Sequence, residues 1–482
     1  MKKVWKILAA AILVAALTIN LTACSVTGRI YGKPIDALSD IDLGYGRIYL
    51  TTVMEALIAD DVSPVNEMGY HAGQEDAQTF EDLFATWHEL REIYGEPESI
   101  YLYEGVQYGN EKAYTGEMEM TSGGVLRLSL LYTGSDELAL AYLYETEQDF
   151  WSRQTLPEDV VEEELVLGEG TQHPLSAKLT YPAKTEGPVP AVVLVGGDGG
   201  NTMDMKAGST RSFQDIAWGL AQQGIAVIRF DKRTYTYSDE ESAEAAPKEV
   251  FSVDWEYAED TLLAYRKLLE RSFVDPDQIY FLGHSQGGVV GSRIQEEAVS
   301  QGLPGFAGFL LVNTSPRPWY EVIYDQYINY GLIDRQSEEI YYLVQKIEME
   351  RDYIADGDYL KTPEEKLTSE FALTRPAAFW RDYLSYDYVA GYRGLAEAGV
   401  PVILIQGGAD YQIVPKVDLA AWQEEIGSWN VPEDRVLVKE YEGLNHLLTP
   451  SQGIFAGHYK EYEMPSRVPE DVIADLAAWI KR

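Results

Sequence analysis

Gly283-His284-Ser285-Gln286-Gly287 sets a serine between two glycines, with Gly288 next. An apolar run, Gln278 to Leu282, precedes it, and a helix-forming stretch, Gly288 to Ala298, follows. A strand that turns this sharply into a helix holds the serine in a strained conformation above the sheet edge, with its hydroxyl exposed. Side chains at Gly283 and Gly287 would collide with that turn. The amide of Gln286, at the start of the helix, then points toward negative charge developing beside the serine. A serine hydroxyl is a poor nucleophile near pH 7, so it needs a base, and the base needs a carboxylate to orient it. Val402 to Ile405 reads as a strand, and Gln406-Gly407-Gly408-Ala409 leads from its end to Asp410, the expected acid. Asp418 is the rival carboxylate, but it falls in the following helix. Val436 to Lys439 reads as a further strand and runs into the loop Glu442 to Leu447, which carries His446, the expected base. Of the other five histidines, His71 and His88 lie far upstream and His173 precedes the sheet. His284 points away from the reacting face in such a turn, and His458 has no strand directly before it.

Serine, acid and histidine in that chain order predict acyl transfer to water through an acyl-serine intermediate, with no cofactor and no metal required. A glycine-rich turn with serine capping the helix is the non-catalytic alternative for Ser285, and a turn aspartate that for Asp410. For the whole chain, the alternative is a binding protein that has lost its chemistry. Such a protein has no need of all three groups in order.

The elements that must position these groups alternate strand and helix over residues 151 to 482, which predicts a doubly wound, mostly parallel sheet. Ala191 to Val195 is continuously apolar, as a strand buried on both faces must be. Phe213 to Gln223, Asp254 to Leu269 and Gly288 to Ala298 read as helices. Ile225 to Phe230, Phe306 to Val312 and Val436 to Tyr441 read as further strands. The stretch from about 315 to 398 is too long for a loop and reads as an inserted helical lid. Its many aromatics, among them Trp319, Tyr327, Trp380 and Tyr383, are expected mainly to pack a core, with an acyl or aromatic pocket as their other use. Upstream, residues 35 to 150 read as a separate small α+β unit. Leu50, Val53, Met54 and Leu57 share one helical face, as do Phe80, Leu83, Phe84, Trp87 and Leu90. Four strand-like runs follow: Ser99 to Val106, Ala113 to Met120, Val125 to Tyr132 and Leu138 to Tyr144. Glycine-containing turns separate them.

On the Ser285, Asp410 and His446 contexts, residues of about 160 to 482 resemble the α/β-hydrolase family. The closer resemblance is to secreted bacterial esterases that carry a nuclear-transport-factor-2-like domain ahead of the hydrolase, which is the layout of residues 35 to 150. The run Gly224 to Arg233 also looks like theirs. The resemblance implies carboxylic ester hydrolysis, with thioesters and short peptides open to the same triad and a small-molecule ester as the expected partner. It also implies a second oxyanion donor, the amide of Asp198, beside that of Gln286. Those esterases carry His-Gly-Ser-Gly-Pro after the first sheet strand, where this chain has Gly196-Gly197-Asp198-Gly199-Gly200. Gly196 thus replaces the usual histidine, and Asp198 brings a carboxylate close to where negative charge would form. No Lys-Ser/Thr follows the loop, which excludes a phosphate-binding glycine turn of that type.

The chain has 482 residues, 46% of them hydrophobic, and a formal net charge of -40. The length predicts more than one domain, and the charge excludes a nucleic-acid partner, whose phosphates require clustered Lys and Arg. Self-repulsion at that charge favours a soluble monomer. The single cysteine, Cys24, permits no disulfide within the chain and no cysteine metal site. Lys2, Lys3 and Lys6 followed by the apolar run Ile7 to Leu21 read as a signal sequence over residues 1–23. Leu21-Thr22-Ala23-Cys24 resembles the bacterial lipoprotein cleavage box. That resemblance implies an acylated Cys24, a tether over residues 24–34 and an extracytoplasmic, membrane-anchored protein.

Overall fold

The computed structural model describes residues 40–66, 80–108, 111–132, 138–239, 247–328, 338–432, 434–451, 456–457 and 459–482. The signal-like stretch, Cys24 and the tether lie outside the described residues, as do His71 and His458.

The helices α1 (Asp40–Ala59) and α2 (Phe80–Tyr94), with a short helical turn at Ser63–Asn66 between them, precede a four-stranded antiparallel meander. Its strands are β1 (Pro97–Tyr108), β2 (Glu111–Met120), β3 (Val125–Tyr132) and β4 (Leu138–Glu145), paired in sequence order. The helical faces read from the sequence bury here. Leu50, Val53, Met54, Leu57, Leu83 and Trp87 pack with Leu126, Leu128 and Leu130 of β3 into one apolar core. The other face of β4 turns Leu140, Tyr142 and Tyr144 onto Met464, and the Trp151 indole donates to Ser209 O at 2.7 Å. The meander is thereby fastened to the second half of the chain.

That second half is built on an eight-stranded sheet. The strands in chain order are β5 (Val160–Leu167), β6 (Leu175–Pro182), β7 (Val189–Val195), β8 (Ala226–Phe230), β9 (Val274–His284), β10 (Phe309–Val312), β11 (Val402–Gly407) and β12 (Val436–Tyr441). Across the sheet the order is β12-β11-β10-β9-β7-β8-β6-β5. The pairs from β12 through β8 are parallel, while β6 and β5 add antiparallel pairs at one edge.

Side-chain alternation explains why the strands are apolar on both faces. Ala191, Val193 and Val195 of β7 point to one face, with Phe309 and Leu311 of β10. Helices α4 (Glu259–Leu269) and α5 (Gly291–Ser300) cover that face. Val192 and Leu194 point to the other, with Leu310 and Val312, under α3 (Ser212–Gln222) and the C-terminal helix (Glu470–Ile480). Each such fully buried valine or leucine contributes about 1.5–3 kcal/mol.

Between β10 and β11 the chain makes α6 (Trp319–Ile328), α7 (Glu338–Ala355), the short pair Phe371–Ala372 and Arg375–Pro376, α8 (Ala377–Tyr383) and α9 (Tyr388–Glu397). Trp319, Phe379, Trp380, Tyr383 and Tyr392 are buried in the main core, and Tyr341 and Tyr342 are exposed. Most of these aromatics therefore pack the inserted helices onto the sheet. After β11 comes α10 (Asp418–Gly427).

Candidate active site

Ser285 directly follows β9, and the short helical turn Gln286–Val289 starts immediately after it. Its backbone lies at φ 54° and ψ -129°, a conformation costing an L-residue about 1–3 kcal/mol and held only when the surroundings over-determine it. Here they do. Ser285 N donates to Val312 O of the neighbouring strand at 2.8 Å. A Cβ on Gly287 would sit 2.2 Å from Gly196 O, and one on Gly283 would sit 2.5 Å from Gly288 Cα. The two glycines are what allow strand, turn and preceding loop to meet.

Asp410 lies three residues beyond the end of β11, and His446 five beyond the end of β12. His446 Nδ1 and Asp410 Oδ2 are 2.7 Å apart, both residues buried. The second carboxylate oxygen, Oδ1, accepts the amides of Gln412 at 2.8 Å and Ile413 at 2.9 Å. With both oxygens committed, the carboxylate has one orientation. Ser285 is tied to this pair through its neighbour. The His284 ring lies 4.5 Å from that of His446, and His284 Nε2 donates to His446 O at 2.7 Å. No hydrogen bond joins Ser285 Oγ to His446 among the described residues, which is common before substrate draws the two together. His284 is buried, and its pKa is pushed well below the usual range by desolvation and then by the neighbouring His446. It is a neutral support for the loop that carries His446.

The alternatives raised by the sequence lie elsewhere. Asp418 accepts Ser315 Oγ at 2.6 Å and Arg317 Nη1 at 3.1 Å, away from His446. His88 bonds Asp60, and His173 meets the rings of Tyr237 and Trp255 edge-on.

The loop after β7 lies directly against Ser285, where a Cβ on Gly197 would be 2.9 Å from Ser285 Cβ. Neither the Asp198 amide nor the Gln286 amide donates to another described residue, so both are free to bind an oxyanion. Gly196 in place of histidine does not leave this loop slack. Asn201 Nδ2 lies 3.1–3.2 Å from the carbonyls of Gly197, Asp198 and Gly199 and shares its two N–H groups among them. Lys232 Nζ reaches Gly197 O at 2.6 Å and Gly199 O at 3.0 Å. Thr234 Oγ1 holds Gly199 O at 2.9 Å. Tyr257 OH bridges Gly197 O and Gln286 Oε1, at 3.1 and 2.6 Å.

The Asp198 carboxylate turns back into its own loop and toward the inserted segment. It takes Gly199 N at 2.7 Å, Trp319 Nε1 at 3.2 Å and the Arg375 guanidinium. Burial alone would raise its pKa. The Arg375 and Lys232 charges outweigh that and hold it below the usual carboxylate range.

No sequence motif marks Asn313. It is fully buried at φ 50°, just past β10. Its Nδ2 donates to His446 O at 2.6 Å and Asn445 O at 3.3 Å, and its Oδ1 accepts Gly407 N at 2.7 Å. One side chain thereby joins the loop that carries His446 to the end of β11. Asn313→Ala is expected to lower kcat about 10-fold through misplacement of His446. Leaving buried polar groups unpaired is expected to cost about 1–3 kcal/mol in urea unfolding.

Glu461 lies beside this acid–base pair. Its Oε2 accepts Ser451 Oγ at 2.7 Å and Gly457 N at 3.1 Å, and its Oε1 is buried without a partner. Burial, reinforced by the Asp410 charge, raises its pKa from 4.5 to about 7. A carboxyl group raised on folding binds more protons folded than unfolded, so its contribution falls as pH rises through that window. The stability gap favouring Glu461→Gln over wild type is expected to widen by about 3 kcal/mol between pH 4.5 and pH 8 in urea unfolding. A gap independent of pH would refute this titration.

A model of the alpha/beta hydrolase family matches residues 192–455, over half of the chain. The chain belongs to the α/β-hydrolase family. Among curated proteins, esterase EstD of Thermotoga maritima is 29% identical over 402 residues, spanning 83% of this chain and 87% of that protein. Among solved structures, brefeldin A esterase, a bacterial homologue of human hormone-sensitive lipase, is similar with a TM-score of 0.36. Its identity is 17%, over 68% of this chain and 78% of that one. The esterase EstE5 soaked with p-nitrophenyl butyrate gives a TM-score of 0.37 at 15% identity, over 70% and 89%. In this α/β hydrolase the parallel strands β9, β11 and β12 deliver Ser285, Asp410 and His446 to one edge of the sheet.

Proposed function

We propose that this α/β hydrolase is a serine carboxylesterase with Ser285 as nucleophile, His446 as general base and Asp410 as the group that orients it. The observation that carries the reading is the 2.7 Å contact of buried Asp410 with His446 Nδ1, at the sheet edge where the strained Ser285 sits. With Nδ1–H donated to the carboxylate, Nε2 carries the lone pair that accepts the serine proton. Ser285 Oγ attacks the ester carbonyl, and the amides of Gln286 and Asp198 bind the oxyanion. Protonated His446 then gives its proton to the departing alcohol. Water, activated by the same imidazole, attacks the acyl-serine and releases the acid. The relationship to EstD over most of both chains supports esters as the substrate class.

The test is hydrolysis of a chain-length series of p-nitrophenyl esters by the purified full-length chain, with fluorophosphonate labelling of Ser285. Turnover and labelling are expected, and the chain-length optimum sizes the acyl pocket. Absence of both would reject the enzyme reading in favour of a binding protein.

We further propose that residues 35–150 form a nuclear-transport-factor-2-like domain that docks or screens substrates. Deleting this unit is expected to alter the chain-length profile, and an unchanged profile would count against the role. We also propose an acylated Cys24 that anchors the protein outside the cytoplasm. Detergent phase partitioning of wild type beside Cys24→Ala checks this, since loss of the lipid should move the variant to the aqueous phase.

A further inference from the structure

The acidic residue in the oxyanion loop creates a problem that the inserted segment solves. The Asp198 amide is a proposed oxyanion donor, yet the same residue carries a carboxylate whose charge would oppose the oxyanion. Arg375, 177 residues later in the chain, ion-pairs with that carboxylate. The same guanidinium also donates to both oxygens of Glu256 at 3.0 Å and lies 4.6 Å from the centre of the Phe379 ring. Glu256 in turn accepts Lys232 Nζ at 2.6 Å, and that ammonium holds the Gly197 and Gly199 carbonyls. Arg375, Glu256 and Lys232 are all buried. Two anions and two cations thus cancel against the oxyanion loop. The turn that delivers Arg375 puts two successive non-glycine residues, Leu373 and Thr374, at φ 48° and 68°. Leu373 N is held by Glu350 of α7 at 3.1 Å. Strain of this kind persists where the surroundings fix a side chain for use.

We propose that Arg375 is a positioning residue for the oxyanion loop. It neutralises Asp198 and, through Glu256 and Lys232, fixes the loop's carbonyls so that its amide can serve the transition state. The inserted segment therefore completes the site that it lies against. This inference rests on the esterase reading above.

The experiment compares wild type, Ser285→Ala, Arg375→Gln, Arg375→Lys and the double variant Asp198→Asn/Arg375→Gln on p-nitrophenyl acetate, with thermal melts of each. Because the oxyanion exists only in the transition state, Arg375→Gln is expected to lower kcat about 30- to 100-fold with KM within about 3-fold. Arg375→Lys, which keeps the charge but loses the fork, is expected to lose about 10-fold. Removing the carboxylate in the double variant is expected to restore at least about 10-fold over Arg375→Gln, because the opposing charge is then gone. A merely structural arginine would give a double variant no better than the single one, and that result overturns the inference, as does a loss under about 3-fold in Arg375→Gln. If melting shows Arg375→Gln unfolded, Arg375→Lys decides: reduced kcat at unchanged KM supports the inference, and wild-type kcat overturns it. Turnover that survives in Ser285→Ala, or is absent in wild type, removes the esterase reading and this inference together. Ser285-dependent turnover that is indifferent to Arg375 removes only the inference.

Discussion

Ser285→Ala is expected to lower kcat for p-nitrophenyl ester hydrolysis by about 10⁶-fold, and His446→Ala by a similar factor, with the double variant scarcely worse than either alone. The reason is that in the proposed mechanism the two act as one unit. Without the serine there is no acyl-enzyme, and the imidazole has no proton to take. Without the imidazole the hydroxyl stays protonated, buried at a strained turn. A residual rate of about 10³–10⁴ over water should persist in each, because the free amides of Gln286 and Asp198 and the binding surface remain. Single-turnover and steady-state kinetics on purified variants check this. Additive losses, with the double variant near the product of the singles, would mean that the two residues work independently and the proposed mechanism is wrong. Alanine also relieves no backbone strain at φ 54°, so the fold of Ser285→Ala should survive unchanged.

The positions of these groups were legible in the sequence because each follows a strand that carries an apolar run. β7, β9 and β11 bury theirs, and a buried strand advertises itself; β12, exposed at Val438, Lys439 and Glu440, shows only the short run Val436 to Val438. β5 and β6 were not legible. Glu162, Glu163 and Glu164 interrupt the apolar residues of β5, and no period-2 pattern survives. The structure explains the interruption: Glu162 is bound by Arg229, Lys178 and Trp218. The edge strand spends a polar position on an ion-pair network around a fully buried arginine. The strands of the upstream meander are legible to within two residues at each end, because glycines punctuate the sequence between their apolar runs.

What the sequence could not disclose was the support of the site. Arg375 with Asp198, Glu256 with Lys232, and Asn313 with the His446 carbonyl are contacts between residues far apart in the chain. No local period or spacing encodes them. One signal did exist: an aspartate in the proposed oxyanion loop is electrostatically wrong by itself, so the proposal calls for a buried cation beside it. The sequence states that a partner is needed, and only the fold says which of its arginines and lysines it is.

Asp410→Asn carries the second large effect, a loss of about 10⁴-fold in kcat, and the backbone around Asp410 makes the direction of the defect calculable. The Gln412 and Ile413 amides both donate to Oδ1. In asparagine only the carbonyl oxygen accepts, so it must take that position, and the NH₂ group is forced to face His446 Nδ1. Nδ1 must then accept and Nε2 must carry the proton, which leaves no lone pair aimed at the serine. The opposite rotamer restores the tautomer only by pointing NH₂ at two backbone donors, leaving buried N–H groups unpaired at about 1–3 kcal/mol each. The variant should therefore fold with wild-type geometry, bind ester with little change in KM, and fail at proton transfer. Imidazole ¹⁵N chemical shifts would show His446 protonated at Nε2 in the variant and at Nδ1 in wild type. A variant within 10-fold of wild-type kcat, or one whose tautomer is unchanged, would remove Asp410 from the role proposed for it.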